Sequence, residues 1–228
     1  MKNIDVRLGI DHLEDISAAK PLPALLEIIW NAFDSKSCLV TVSFQKNINT
    51  ETIEKITIQD EGDGIPYSKV SELFGNLGES WKKSAKKNGD RSLHGQYGKG
   101  RFKAFALGEQ VTWNTICASN ETNLNYYIKG HVNNIKRFNI SDAQKTNAKT
   151  GTTVEIFNID KKVNVLISDT VQHNVTKEFA LFLTEYPSRK LMYNSGYITP
   201  SDIWLEKKDY NLGDVVLNGE KENISVSI

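Results

Sequence analysis

The sequence lacks the features that disulfide-stabilised, secreted and membrane-spanning proteins require. It has only two cysteines, Cys38 and Cys117, which lie far apart and fit neither a disulfide framework nor a zinc-binding spacing. No run of about 18 apolar residues, the minimum for a membrane-spanning helix, is present, and the first residues contain no apolar signal-peptide core. We therefore expect a soluble, intracellular and cytoplasmic protein with reduced cysteines and no membrane partner.

An excess of charge of either sign is also missing, because 28 Lys and Arg residues balance 28 Asp and Glu residues. This balance gives no overall attraction to nucleic acid or to an anionic membrane, although a local patch can still attract either. The 228 residues are 39% hydrophobic and 25% charged, as in ordinary globular proteins. The length suits one large domain, or one domain and part of another.

What the sequence does contain is an apolar helix with a narrow polar stripe. A helix is predicted from Leu25 to Asp34, and at about 100° per residue Glu27, Asn31 and Asp34 fall on one stripe. Such a helix should be buried, and a buried row of acid, amide and acid is costly unless something satisfies it. A lone glutamate is usually solvated, but the i, i+4 relation of Glu27 to Asn31 on an apolar helix argues against that. We predict that a nucleotide and a metal ion satisfy the stripe.

A second candidate element is an acidic residue at the end of a strand. Residues 55–60 are predicted to be a strand in which Asp60 faces the core. An inward carboxylate can accept a hydrogen bond from a buried amino group such as the exocyclic amine of adenine. Gly62 and Gly64 in the following loop would let a ring approach the backbone closely. Alternatively, Asp60 only caps a turn, which explains the glycines but not the helix stripe.

A third element is the glycine-rich stretch at residues 95–101, which runs into a predicted helix at 101–107 that ends at Gly108. Glycines before a helix expose several backbone N–H groups together, and the helix dipole adds positive potential, so the stretch resembles a phosphate cradle. Taken alone, the stretch is better explained as a simple flexible loop than as a phosphate site. It is not a Walker A loop, because Gly100 rather than Ser or Thr follows Lys99. It is not a dinucleotide fingerprint either, because no strand precedes it.

The connection at residues 75–97 is rich in Gly, Ser, Lys and Asn and poor in apolar residues. Long connections of this kind are often lids over a site. Its basic residues can also be read as a solvated charge run. A nucleic-acid role has little support, because only Trp81 and Tyr97 interleave with the positive charges.

These stretches, with Gly151-Thr152 at the start of a predicted strand, resemble the motifs of the GHKL ATPases, in the family's order. This superfamily includes gyrase B, the ninety-kilodalton heat-shock chaperones, histidine kinases and MutL. The resemblance covers residues 20–160, and Asn76-Leu77-Gly78 looks like the lid entry of the chaperone and MORC branches. The irregular alternation of strands and helices favours an α+β sandwich. The resemblance implies a Bergerat fold, with a mixed, mostly antiparallel sheet, helices packed on one face and a mobile ATP lid.

The resemblance also implies roles for individual residues. Glu27 would orient and deprotonate the attacking water, Asn31 would ligate Mg²⁺, and Asp34 would support the nucleotide pocket partly through water. Asp60 would bind adenine, with Thr152 behind it. The remaining nucleotide contacts would come from the loop after Asp60, the lid and the phosphate loop, namely Gly62, Gly64, Ile65, Asn76, Lys82, Gly95, Gln96, Tyr97, Gly98, Lys99, Gly100, Arg101 and Phe102.

The function implied by the resemblance is Mg²⁺-dependent ATP binding and slow hydrolysis. Lid closure and ATP-driven homodimerisation would form a clamp on a protein or DNA client. One alternative is histidine-kinase phosphotransfer, against which no helix with an acceptor histidine precedes residue 20. A second is a non-catalytic nucleotide-binding scaffold module. Several family members complete the site with a Lys or Arg from a following domain, and no such residue is identified in this sequence.

The expected domain organisation has three parts. Residues 1–20 form an N-terminal arm, a candidate for exchange between protomers, and residues 21–160 form the ATP-binding domain with the lid at 75–97. Residues 161–228 form an extension of that domain or the start of a following one. The chain ends within an apolar hairpin pattern, so we expect it to be an amino-terminal piece of a longer protein.

Overall fold

A single large sheet organises the part of the chain that the computed structural model describes, which is residues 2–5, 19–75, 100–120, 122–135, 137–200, 215–217 and 220–222. Within these ranges the α-helices are α1 (Pro21–Asp34), α2 (Val70–Gly75) and α3 (Asp169–Glu185). Short 3-10 helices cover Tyr67–Lys69, Gly100–Ala106, Val132–Asn134 and Lys161–Ile167. The strands are β1 (Lys2–Asp5), β2 (Leu39–Lys46), β3 (Ile53–Asp60), β4 (Gly108–Ala118), β5 (Asn123–His131), β6 (Arg137–Ile140), β7 (Gln144–Thr146), β8 (Gly151–Ile159), β9 (Lys190–Tyr193), β10 (Gly196–Tyr197), β11 (Val215–Leu217) and β12 (Glu220–Glu222).

Ten of these described strands form the sheet, in the order β1-β6-β5-β4-β8-β3-β2-β9-β10, with β7 paired to β5. Neighbouring strands are antiparallel except β2 and β9, which are parallel. Strands β11 and β12 pair separately as a hairpin. The prediction of a mixed, mostly antiparallel sheet in an α+β fold is therefore confirmed.

Helix α1 packs on strands β2 and β3 of this sheet and carries the polar stripe. Its apolar side is buried, with Leu25 and Ile29 fully inaccessible, and Pro21 occupies its first turn as the sequence predicts. The stripe itself is half-buried, not buried as predicted. The reason is that the stripe side of α1 faces the 3-10 helix Gly100–Ala106, with an ion pair between Glu27 and Lys103, instead of facing the sheet.

Helix α3 packs on α1 through aromatic side chains. The ring centroids of Trp30 and Phe179 lie 4.4 Å apart, and those of Phe33 and Phe182 lie 4.9 Å apart. Strand β9 then joins the sheet beside β2. Residues between Val163 and Ile198 thus contribute to the same core as the preceding residues.

One predicted element differs from the structure. The helix predicted at 101–107 is instead the 3-10 helix Gly100–Ala106, and Gly108 begins strand β4 instead of ending a helix. A Cβ at Gly108 would lie 2.5 Å from the carbonyl oxygen of Phe157, so close strand packing explains this glycine.

Candidate functional site

Asp60 lies at the end of β3, opposite Thr152 on β8, with 8% of its surface exposed. Its Oδ1 accepts hydrogen bonds from Gly62 N at 2.9 Å, Ser35 Oγ at 3.1 Å and Thr152 N at 3.2 Å. Burial raises the pKa of this carboxyl from 3.8 to about 6, and the three hydrogen bonds limit the rise because they favour the charged form. The group is therefore ionised at neutral pH.

The second oxygen of Asp60 has a different environment. All three hydrogen bonds end on Oδ1, and no described residue donates a hydrogen bond to Oδ2. A largely buried carboxylate oxygen without a donor is costly. The arrangement therefore leaves one acceptor available for a donor group from a bound molecule.

The glycines around Asp60 allow protein segments to approach one another closely. A Cβ at Gly62 would lie 1.9 Å from Ser35 Oγ and 2.4 Å from Ser35 O, so this loop packs directly on the end of α1. A Cβ at Gly64, where φ is 71°, would lie 2.1 Å from the carbonyl oxygen of Ile116. The loop after Asp60 is thus fixed between α1 and β4.

A second layer of hydrogen bonds fixes Ile65 at the end of the same loop. Its N–H donates to Thr115 Oγ1 at 2.9 Å, and its carbonyl accepts from the hydroxyl of Tyr126 at 2.6 Å. Thr115 Oγ1 also lies 3.1 Å from Thr152 Oγ1. Burial raises the pKa of Tyr126, which keeps its hydroxyl protonated as a donor. The loop after Asp60 is therefore held by hydrogen bonds to strands β4 and β5, and through Thr115 it is linked to β8.

The charged part of the stripe lies on α1 beside the 3-10 helix Gly100–Ala106. Glu27 Oε2 is 3.4 Å from Lys103 Nζ, and the two side chains are 24% and 35% exposed. Asn31 and Asp34 follow on the stripe, both half-buried and both in contact with other groups. Since Glu27 and Ser35 are eight residues apart, Glu27 lies about 12 Å along the helix from the end that contacts Asp60.

The stripe offers oxygen donors of the kind that Mg²⁺ prefers. Mg²⁺ keeps several waters and takes few protein ligands, so the side-chain oxygen of Asn31 fits it. Among the described residues, no group of three or more His, Cys, Asp or Glu side chains has a metal-binding arrangement. The residues present are thus suited to a metal shared with phosphates, not to a cage made of protein ligands alone.

The predicted lid and phosphate-loop residues are described only in part. Only the backbone is described for Gly100 and Arg101, and the side chain of Phe102 is fully buried in the core. The predicted residues that the structure does not describe are Asn76, Lys82, Gly95, Gln96, Tyr97, Gly98 and Lys99.

The structure also brings residues to the site that the sequence motifs do not include, namely Ser35, Thr115, Tyr126 and Lys103. Two signals were available in the sequence. Ser35 directly follows the stripe, and alternation along β4 places Thr115 on the same face as Trp113 and Cys117. No sequence signal paired Lys103 with Glu27.

Comparison with known proteins gives two results. A family model for the histidine kinase-, DNA gyrase B- and HSP90-like ATPases matches residues 19–169, more than half of the chain. The chain is also similar to the chaperone protein HtpG of Fusobacterium nucleatum subsp. nucleatum, with 23% identity over 156 residues. This match covers 66% of the chain but only 24% of HtpG, so the chain spans about a quarter of that relative. Each helix in the described ranges is too short or too polar to span a bilayer.

Proposed function

Because the chain belongs to the family of histidine kinase-, DNA gyrase B- and HSP90-like ATPases, with an ATP-binding domain at residues 19–169, we propose that it hydrolyses ATP slowly to ADP and phosphate in the presence of Mg²⁺. The base end of the nucleotide would lie at Asp60 and the phosphate end at Glu27 and the residues 95–102. The position of Ser35, between the stripe and Asp60, supports one continuous site.

The observation that carries this proposal is the environment of the second carboxylate oxygen of Asp60, Oδ2. Its Oδ2 is in a largely buried site and receives no hydrogen bond from the described residues. The exocyclic amine of adenine is a donor of the required kind. The charge-assisted hydrogen bond that would result is stronger than one between neutral groups.

In the reaction, Glu27 would take the proton of a water molecule as its oxygen attacks the terminal phosphorus. A new P–O bond forms, and the bond to the leaving ADP oxygen breaks. Asn31 would hold Mg²⁺, which when bound supplies charge neutralisation on the phosphate oxygens. Catalysis would then rest on positioning and electrostatic stabilisation, as is usual in phosphoryl transfer.

We extend the proposal to nucleotide-dependent movement. Closure of the lid at residues 75–97 and formation of a homodimer would make the protein a clamp on a protein or DNA client. The support is the similarity to the chaperone HtpG, which favours the chaperone-like branch. Strand β1 of the N-terminal arm pairs with β6 of its own chain, so exchange between protomers would have to replace this pairing.

Labelled ATP tests the proposal directly. We expect Glu27→Ala to keep its ATP affinity, measured by calorimetry, and to lose release of labelled phosphate. Label trapped on the protein would indicate a kinase. Tight binding without phosphate release by the unaltered chain would indicate a non-catalytic module, and either result would contradict hydrolysis.

A further inference from the structure

The pairing of Lys103 with Glu27 suggests a further role in this site. Among residues 102–107, Lys103 is the only one whose side chain is not buried, because Phe102, Ala104, Phe105, Ala106 and Leu107 all lie in the core. The backbone of this segment is therefore fixed while the lysine reaches out of the core to α1. Its ammonium group ends 3.4 Å from Oε2 of Glu27.

This ion pair is poorly suited to a purely structural role. Each partner bonds only the other among the described residues, and exposed or half-exposed ion pairs contribute little to stability. The pair between Lys55 and Glu155 on the other face of the sheet is different. It is 2.6 Å long with 28% and 23% exposure, and Asn114 also bonds the carboxylate at 2.8 Å. The pair of Glu27 and Lys103 is longer and has no third partner, so it can separate at low cost.

A terminal phosphate would be a strong competitor for Lys103. The water that Glu27 activates must touch both the carboxylate and the terminal phosphorus, so the phosphate oxygens lie within a few ångströms of Glu27. Lysine is a point charge on a flexible four-carbon stem and is a common phosphate ligand. A terminal phosphate carries more negative charge than a single carboxylate, so Coulomb attraction favours transfer of the ammonium to it.

We propose, building on the function proposed above, that Lys103 is the residue by which this site distinguishes ATP from ADP. In the nucleotide-free and ADP-bound protein Lys103 stays with Glu27. When ATP binds, its terminal phosphate takes over the ammonium, which leaves the Glu27 carboxylate available to the attacking water. Lys103 then neutralises charge on the phosphate, inside the same domain.

Calorimetric titration of Mg-ATP and Mg-ADP into three variants tests this role. Lys103→Met should weaken ATP binding by about ten-fold or more, as expected for loss of a hydrogen bond between charged groups, with ADP binding nearly unchanged. Lys103→Arg keeps the charge and should retain most of the preference for ATP. Lys55→Met removes a lysine from the other ion pair and should change neither affinity.

The outcomes separate the two proposals. Suppose that the unaltered chain binds ATP. If Lys103→Met weakens the binding of ATP and of ADP equally, or weakens the binding of neither, the assignment of Lys103 is wrong but the ATP site stands. If the unaltered chain binds no adenine nucleotide, the proposed function fails and this inference fails with it.

Discussion

The hydroxyl of Ser35 lies 3.1 Å from Oδ1 of Asp60 and joins the end of helix α1 to the end of strand β3. The same hydroxyl lies 2.7 Å from the carbonyl oxygen of Ala32 in the last turn of the helix. Ser35 belongs to neither the stripe nor the acidic loop, yet it sets their spacing. The geometry of the whole candidate site therefore depends on a residue between its motifs.

Replacing this serine should shift the pH dependence of nucleotide binding. Ser35→Ala removes a donor that favours the charged form of Asp60, so the pKa of Asp60 should rise above its present value of about 6. Adenine would bind the ionised carboxylate, so ATP affinity should fall as the pH is lowered and the carboxyl becomes protonated. In the variant this fall should begin at a higher pH than in the unaltered chain. Calorimetric titration of ATP at a series of pH values measures the midpoint, the pH at which half of the affinity change has occurred. Ser43→Ala, at an exposed position on β2, is the control, and an unchanged midpoint in Ser35→Ala would contradict the prediction.

Asp60 should also make the nucleotide-free protein less stable at neutral pH. Its pKa is raised from 3.8 to about 6 on folding, so the folded state holds this proton more tightly than the unfolded chain. This contribution to stability is lost as the pH rises from 3.8 to about 6, and above that the folded protein carries a buried charge. Asp60→Asn keeps an acceptor for the three donors and removes the charge. In the absence of nucleotide we expect it to unfold at a higher temperature at neutral pH.

Scanning calorimetry at several pH values provides the check. The difference in unfolding temperature between Asp60→Asn and the unaltered chain should shrink as the pH is lowered below about 6, because the aspartic acid is then neutral too. A variant that unfolds at a lower temperature at neutral pH would show that the charge stabilises the fold, contrary to this account.

Gly62 should not tolerate a side chain. A Cβ there would lie 1.9 Å from Ser35 Oγ and 2.4 Å from Ser35 O, so Gly62→Ala must displace the loop and should cost about 1–3 kcal/mol in the free energy of unfolding. Adding Ser35→Ala should not restore stability, because the backbone oxygen remains. Urea denaturation measures both variants. Gly196→Ala is the matched control, since a Cβ at Gly196 meets no atom of the described residues within 4 Å.

Thr115 should matter through its hydroxyl more than through its shape. Thr115→Val leaves the N–H of Ile65 without its acceptor, which should cost about 1–3 kcal/mol of stability. It should also loosen the loop that carries Gly62 and Gly64 and weaken ATP binding. Thr115→Ser keeps the hydroxyl and should retain nucleotide affinity. Equal ATP affinities for the valine and serine variants would show that this hydrogen bond does not support nucleotide binding.

Local periodicity predicted most of the elements but not the contacts between them. The alternation in β3 places Asp60 on the inward face, and the apolar spacing of α1 identifies its stripe, because both patterns depend only on neighbouring residues. The family and the α+β sheet followed from motifs on those elements. Residues 101–107, after the glycines, were predicted to be an α-helix. Residues 101–106 lie instead in a 3-10 helix that packs against α1 and β4, and these contacts cannot be read from the local sequence.

The contacts that were missed depend on tertiary structure. Lys103 and Glu27 are separated by 76 residues, and Ile65 and Thr115 by 50. Their meeting requires the order and register of the strands, which no local pattern contains. Ser35 is nearer to Asp60, but its role becomes visible only once α1 is placed against the end of β3.

The central claim is that Asp60 binds the base of ATP in this chain. Calorimetric titration of Mg-ATP into the unaltered protein and into Asp60→Asn at neutral pH tests it most directly. We expect measurable binding to the unaltered protein and loss of binding in the variant, whose fold is checked by its unfolding temperature. Unchanged ATP affinity in a folded Asp60→Asn protein would contradict it.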